Sequence, residues 1–139
     1  MAKVARVTVS IEQPLFDQFE KYAAASGFAN RSEAVKSLMR KALAEEEWQH
    51  KGREVAGAIS MVYDHHHGAV VPKLTDIQHD FGHTIVCTQH VHLDHANCME
   101  VLVVRGRADD IRQLLARLKS AKGIKHSALM MATTGEEIG

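Results

Sequence analysis

Residues 4–11 alternate between apolar and polar positions, with Val7, Val9 and Ile11 on one side and Arg6, Thr8 and Ser10 on the other. A period of two marks a strand with one buried face. The period then lengthens. Leu15, Phe16, Phe19, Tyr22 and Ala23 recur at helical spacing behind Pro14, which a first helical turn tolerates, and Gly27 supplies a stop. After a Phe28–Ala29–Asn30 turn, the pattern predicts a second helix capped by Asn30 or Ser32 and running to about Glu47. Its apolar stripe is Val35, Leu38, Met39, Ala42 and Leu43.

One strand and two helices in about 50 residues leave the strand's backbone groups unpaired and the core too small to stand alone. A second copy resolves both problems. Two chains paired strand to strand form an antiparallel ribbon backed by four helices, with Arg6, Thr8 and Ser10 of each chain on its open face. Such a ribbon fits the major groove of DNA, where an arginine suits guanine and hydroxyls suit several bases. Arg31 and the backbone N–H groups at Ser32 and Glu33 begin the second helix, a place for a DNA phosphate or for plain capping. The helix-two stripe is read as dimer core.

From Trp48 to Arg53 the pattern breaks into a polar linker with Gly52, which divides the chain into parts 1–49 and 50–139. The second part reads as strand 54–64, helix 69–81, strands 84–93 and 98–105, helix 109–121 and strand 124–132, with Gly106 and Gly123 as breaks. This is βαββαβ, the ferredoxin-like order, and the fold class is α+β.

Charge changes this picture little, because Lys plus Arg and Asp plus Glu each number 17 in 139 residues. Only the local placement is suggestive, with Lys3 and Arg6 ahead of the first acid, Glu12. No stretch approaches the roughly 18 apolar residues of a membrane span, and the start lacks the pattern of a secretion leader, so a cytoplasmic protein is expected. Cys87 and Cys98 are too few for a disulfide framework, and Cys87 sits in an apolar run, which leaves Cys98 free for other chemistry.

Histidine changes the picture most. There are ten, and those at 79, 83, 90, 92 and 95 fall within one 17-residue window. In the strand 84–93, Ile85, Cys87, Val91 and Leu93 form an apolar face, while His90 and His92 share the other face with Thr88 and are expected to point away from the helices. The turn Asp94–His95–Ala96–Asn97 brings Cys98 back beside His92. Any one of these residues alone reads as a solvated histidine or a buried thiol, but HxH followed by a cysteine after a tight turn is a metal signal. On an uncovered sheet face the site would lie at an oligomer interface, where His79 of another chain is the candidate fourth ligand. One thiolate among imidazoles suits tetrahedral zinc and square-planar copper(II) or nickel(II) alike. His65, His66 and His67 read as a polar loop or a secondary metal site, and His83 and His95 as neighbours of the primary site or solvated turn residues.

Arg6–Val7–Thr8–Val9–Ser10–Ile11, Asn30–Arg31–Ser32–Glu33–Ala34, Tyr63–Asp64–His65 and His90–Val91–His92–x–x–His95–x–x–Cys98 stand in an order that resembles the NikR family of nickel-responsive regulators, over nearly the whole chain. The resemblance implies a ribbon-helix-helix DNA-binding domain, an ACT-type ligand domain and a homotetramer of two DNA-binding dimers joined through a four-chain core. It further implies one nickel ion per subunit in a planar site, with His90, His92 and Cys98 from one chain and His79 from a neighbour. Nickel would then act as co-repressor for palindromic operator DNA, with nickel-uptake genes as the expected targets. The resemblance also implies an acid one turn after Glu33 to hold a second cation near the DNA-binding part, and here Ser37 stands in its place.

Other readings differ in what they require. A metal-dependent hydrolase needs an open coordination position and a general acid or base such as Asp94 or Glu100, and four protein ligands leave no position open. A regulator sensing copper, zinc, cobalt or an amino acid keeps the scaffold and changes the ligand. Metal storage leaves the strand-helix-helix module without a purpose.

Overall fold

Residues 2–12 form no regular secondary structure in the computed structural model, which describes residues 2–139, and they are exposed throughout. Val4, Val7 and Val9 are each more than 60% exposed. The strand expected over 4–11 has no partner among the described residues, and a lone extended segment has no ladder to join. Helix α1 spans Gln13–Ala25, with Pro14 in its first turn. Gly27 (φ 77°) follows in the left-handed region that a side chain disfavours. Asn30 then accepts the Glu33 N–H at 2.9 Å, capping α2 (Arg31–Glu47), so of the two candidate caps it is Asn30 that serves.

The chain divides into two compact units, residues up to Met39 and Arg40–Gly139. The second holds β1 (Glu54–Asp64), α3 (Val70–Asp80), β2 (Ile85–His92), β3 (Asn97–Arg107), α4 (Ala108–Ser120) and β4 (Ile124–Met131). All pairings are antiparallel and the strand order is β2-β3-β1-β4. The βαββαβ reading is therefore the observed architecture, with Gly106 inside β3 rather than after it.

Alternation sorts each central strand into two faces. Val55, Ile59, Met61 and Tyr63 of β1 and Cys98, Leu102 and Val104 of β3 are buried with Leu74 and Ile77 of α3 and Ile111, Leu114 and Leu118 of α4. Each such aliphatic side chain contributes about 1.5–3 kcal/mol on burial, which fixes both helices to one side of the sheet. The other side carries no helix. Ala56, Ala58 and Val62 of β1, Met99, Val101 and Val103 of β3 and Met130 of β4 lie there, half-buried or exposed.

Two expectations change. Trp48, assigned to a linker, is 1% exposed within the core. And the faces of β2 are the reverse of those expected. His90 pairs with Glu100 and His92 with Cys98, both on the helix side, whereas Cys87 and Val91 pair with Val103 and Met99 on the open side. A register shift between Ile85 and Cys87 returns Ile85 to the helix side, opposite Val104. The physical reason is that β2 is an edge strand. Its helix-side residues lie beyond most of the helical cover and can be polar, while its apolar residues extend the open face.

Candidate metal centre

The turn after β2 is built by one side chain. Asp94 Oδ1 accepts from the N–H groups of Ala96 and Asn97 at 2.9 and 2.8 Å, and both carboxylate oxygens accept from Asn97 Nδ2. These bonds, that to the Asn97 side chain first, hold the Asp94 pKa down to about 2. The hairpin thus sets His92 directly opposite Cys98, with Nδ1 3.3 Å from Sγ.

A third donor arrives from the neighbouring strand. β1 places Tyr63 opposite Cys98 on its other flank, and the chain beyond β1 is tied back by the His65 N–H to the Ala96 carbonyl at 3.1 Å. His65 Nδ1 stands 3.3 Å from Cys98 Sγ. One donor atom each from His65, His92 and Cys98 lies within 4.8 Å of the other two. Burial pushes the Cys98 thiol above its ordinary pKa, and the carboxylates of Glu100, Asp94 and Asp64 push the same way. Two imidazoles and one sulfur fit a borderline divalent metal, which would displace the thiol proton on binding.

His90 stands beside this group. Its ring is 5.1 Å from that of His92, and its Nδ1 lies 3.4 Å from the Tyr63 hydroxyl and 4.0 Å from Glu100 Oε2, leaving Nε2 as the free ring nitrogen. Glu100 is 7% exposed and also accepts from Tyr63 at 2.7 Å and from Gln78 of α3 at 3.0 Å. Burial, and then the bond to Glu100, raise the Tyr63 phenol far above its ordinary pKa. His79 is exposed in the last turn of α3 and is not part of the three-donor group. His83 stacks on Phe81, and the His66 ring lies 5.4 Å from that of His95 and near Asp64.

In the N-terminal unit Arg6, Thr8, Ser10 and Ser32 are exposed. Arg31 is engaged within the chain, donating to Glu20 at 2.6 Å and lying 4.9 Å over the Phe16 ring. Sequence reasoning did not place His65 in the donor group. The signal was available in the βαββαβ order, which sets the end of β1 beside the start of β3.

These features describe an α+β protein with a three-donor group able to hold a metal and a helical N-terminal unit. Residues 56–132 match the family model of the NikR C-terminal nickel-binding domain. A protein of Solibacter usitatus, named as a nickel-responsive regulator, is 47% identical over 99% of both chains. One of Thermococcus onnurineus with the same name is 44% identical over 98% of this chain and 99% of its own. The chain belongs to the NikR family of nickel-responsive regulators. It is a regulator by kinship rather than an enzyme, and nickel is the metal its C-terminal domain serves. Among solved structures, an uncharacterised protein of Thermotoga maritima shares the fold of 56% of the chain and 96% of its own, with TM-score 0.52 and 14% identity.

Proposed function

We propose that the chain is a nickel-dependent transcriptional repressor of the cytoplasm that binds palindromic operator DNA when its metal site is filled, and that it controls nickel uptake. The observation that carries this reading is the Cys98 thiol with imidazole nitrogens 3.3 Å away, in a chain of this family. When bound, nickel supplies a fixed centre that draws the donor side chains together. His90, His92 and Cys98 of one chain, with His79 of a neighbour, are the proposed ligands. His79 is exposed on α3, as a residue given to another chain must be.

Exposed apolar surface supports assembly. Val4, Val7, Val9 and Ile11, together with Val35, Leu38, Met39 and Leu43 of α2, are exposed in a single chain, the pattern that a second copy would cover in a ribbon-helix-helix dimer. Residues 1–49 are the proposed DNA-binding domain and 50–139 the ACT-type domain. The open sheet face, with Val91, Val103 and Met130, suits the proposed tetramer core. Arg6, Thr8 and Ser10 read bases, and the start of α2 at Arg31 and Ser32 meets phosphate. Filling the donor set raises DNA affinity only if the donors close more readily in the DNA-binding arrangement, and DNA then raises nickel affinity by the same factor.

Titration of metal-free protein with nickel, followed by absorption, is the test. A thiolate-to-nickel band saturating at about one ion per chain and absent in Cys98→Ala is expected, as is nickel-dependent retention of promoter DNA that His92→Ala and Cys98→Ala abolish. A response to another metal or an amino acid that survives both substitutions would replace this reading. A second ligand set, His65 with His92 and Cys98, is favoured by the one-chain geometry. Loss of the band in His65→Ala but not in His90→Ala would select it.

A further inference from the structure

Trp48, the only tryptophan of the chain, directly follows the last residue of α2. Its Nε1–H donates to the carbonyl of Ala132 at 2.9 Å. The N–H of Ala132 in turn donates to the Ala56 carbonyl of β1 at 2.9 Å, so the indole is tied into the hydrogen-bond lattice of the sheet. The ring lies against β1 so closely that a Cβ on Gly57 would stand 3.1 Å from Cζ2. From the other side, Arg112 of α4 donates to the Trp48 carbonyl at 3.1 Å, with its guanidinium 5.8 Å from the ring centroid. Glu47, 7% exposed, accepts from the Thr133 hydroxyl at 2.9 Å.

Two consecutive residues at the end of α2 are thus held by β1, by α4 and by the segment after β4. The turn that follows is looser. Residues 49–52 are exposed, and they border a cavity of about 470 Å³ against the first turns of α4. The attachment is the indole and its neighbours, not the turn. A tether that merely joins two units needs no buried aromatic residue, since polar residues keep a linker solvated and slack. The clamp instead ties the end of α2 directly to the sheet and to the segment after β4. The same strand reaches the donor group: Gly57, Ile59, Met61 and Tyr63 occupy one face of β1, and Tyr63 pairs with Cys98.

We propose that Trp48 is a positioning residue for the nickel response, clamping the end of α2 to the sheet so that closure of the donor group reaches α2 as a change in the helix. This inference rests on the nickel-responsive reading above.

The test uses the full-length protein carrying Trp48→Phe with Thr133→Val, which keeps apolar bulk and removes both donors. Hydrogen exchange is followed by residue with and without nickel chloride. In metal-free protein, exchange over 42–48 should quicken about tenfold or more in the variant while 97–104 is unchanged. With nickel, the absorption band should saturate alike in both proteins, whereas the nickel-induced change in exchange over 42–48 should appear in wild type and be lost in the variant. An equal nickel effect in both proteins overturns the proposal, as does a wild type that binds nickel with no change over 42–48, or metal-free exchange that the substitutions leave alone. Failure of the functional reading looks different: no nickel band in wild type, which removes both claims together.

Discussion

The Tyr63 hydroxyl donates a hydrogen bond to Glu100 at 2.7 Å, joining β1 to β3 with His90 Nδ1 3.4 Å from the same hydroxyl. Gln78 of α3 also donates to Glu100, and His90 Nδ1 lies 4.0 Å from Oε2, so the buried carboxylate draws on partners from three elements. Tyr63→Phe deprives it of one while keeping the ring. The expected cost is about 1–3 kcal/mol, read as a lower urea midpoint with an unchanged slope. A variant as stable as wild type would show that Gln78 and His90 satisfy Glu100 without the phenol.

The same phenol sets an alkaline limit. Its folded pKa is raised, by burial first, so folding favours the protonated form. The contribution is complete below the unfolded tyrosine pKa of about 10 and is lost as pH rises past it toward the folded value. Wild type should lose stability above that pH more steeply than Tyr63→Phe, measured by melting between neutral and strongly alkaline pH. Parallel curves would remove Tyr63 from the limit.

Asp94 sets an acid limit of opposite sign. Its pKa is lowered from 3.8 to about 2, chiefly by the Asn97 side chain and then by the N–H groups of Asn97 and Ala96. Its stabilising effect is present above 3.8 and fades as pH falls toward 2. The difference in melting temperature between wild type and Asp94→Ala should therefore be constant near neutrality and close across that window. A difference that persists at the acid end would assign the effect of Asp94 to something other than its charge.

Gly57 is required by a close approach rather than by its dihedral angles. A Cβ there would meet the Met130 carbonyl oxygen at 2.5 Å and two atoms of the Trp48 ring within 3.3 Å. Backbone cannot yield as a side-chain end can, so Gly57→Ala should cost about 1–3 kcal/mol and shift the emission of the single tryptophan. An unshifted spectrum at unchanged stability would mean that β4 moves freely.

The two thiols should behave differently. Cys98 is buried with a raised pKa, and Cys87 is exposed on the open sheet face opposite Val103. A disulfide reagent should modify Cys87 first in dilute protein, with Cys98 reacting only on unfolding. If copies associate through that face, the Cys87 rate should fall with increasing protein concentration, and Val101→Asp should restore it. A rate independent of concentration would take the open face out of the assembly.

Element order was legible in the sequence because period and breakers agreed at nearly every boundary: α2 ends at Glu47 and β1 runs from Glu54 to Asp64 as read. The pairing of His92 with Cys98 was legible as well, since a four-residue turn fixes it locally. Which way those side chains face was not. The rule that apolar residues meet the helices holds for β1 and β3, which the helices cover, and fails on an edge strand. Trp48 was misread because its neighbours Gln49, His50 and Lys51 are polar and exposed, although so large an apolar side chain is itself a sign of burial. His65 joins Cys98 across 33 positions of sequence, a contact that only the strand order creates. The N-terminal strand was expected only of two paired chains, and residues 2–12 of the single chain form no regular secondary structure.

The reversal of β2 puts His90 and His92 on one side of the sheet and Cys87 and Val91 on the other. Each surface can therefore be rewritten in alternate residues of the same strand. Substitutions at His90 and His92 alter the side that carries the candidate donor group, and those at Cys87 and Val91 alter the open side, with only the shared backbone to carry one change into the other. One strand thus presents two surfaces of different chemistry that can be altered independently of each other.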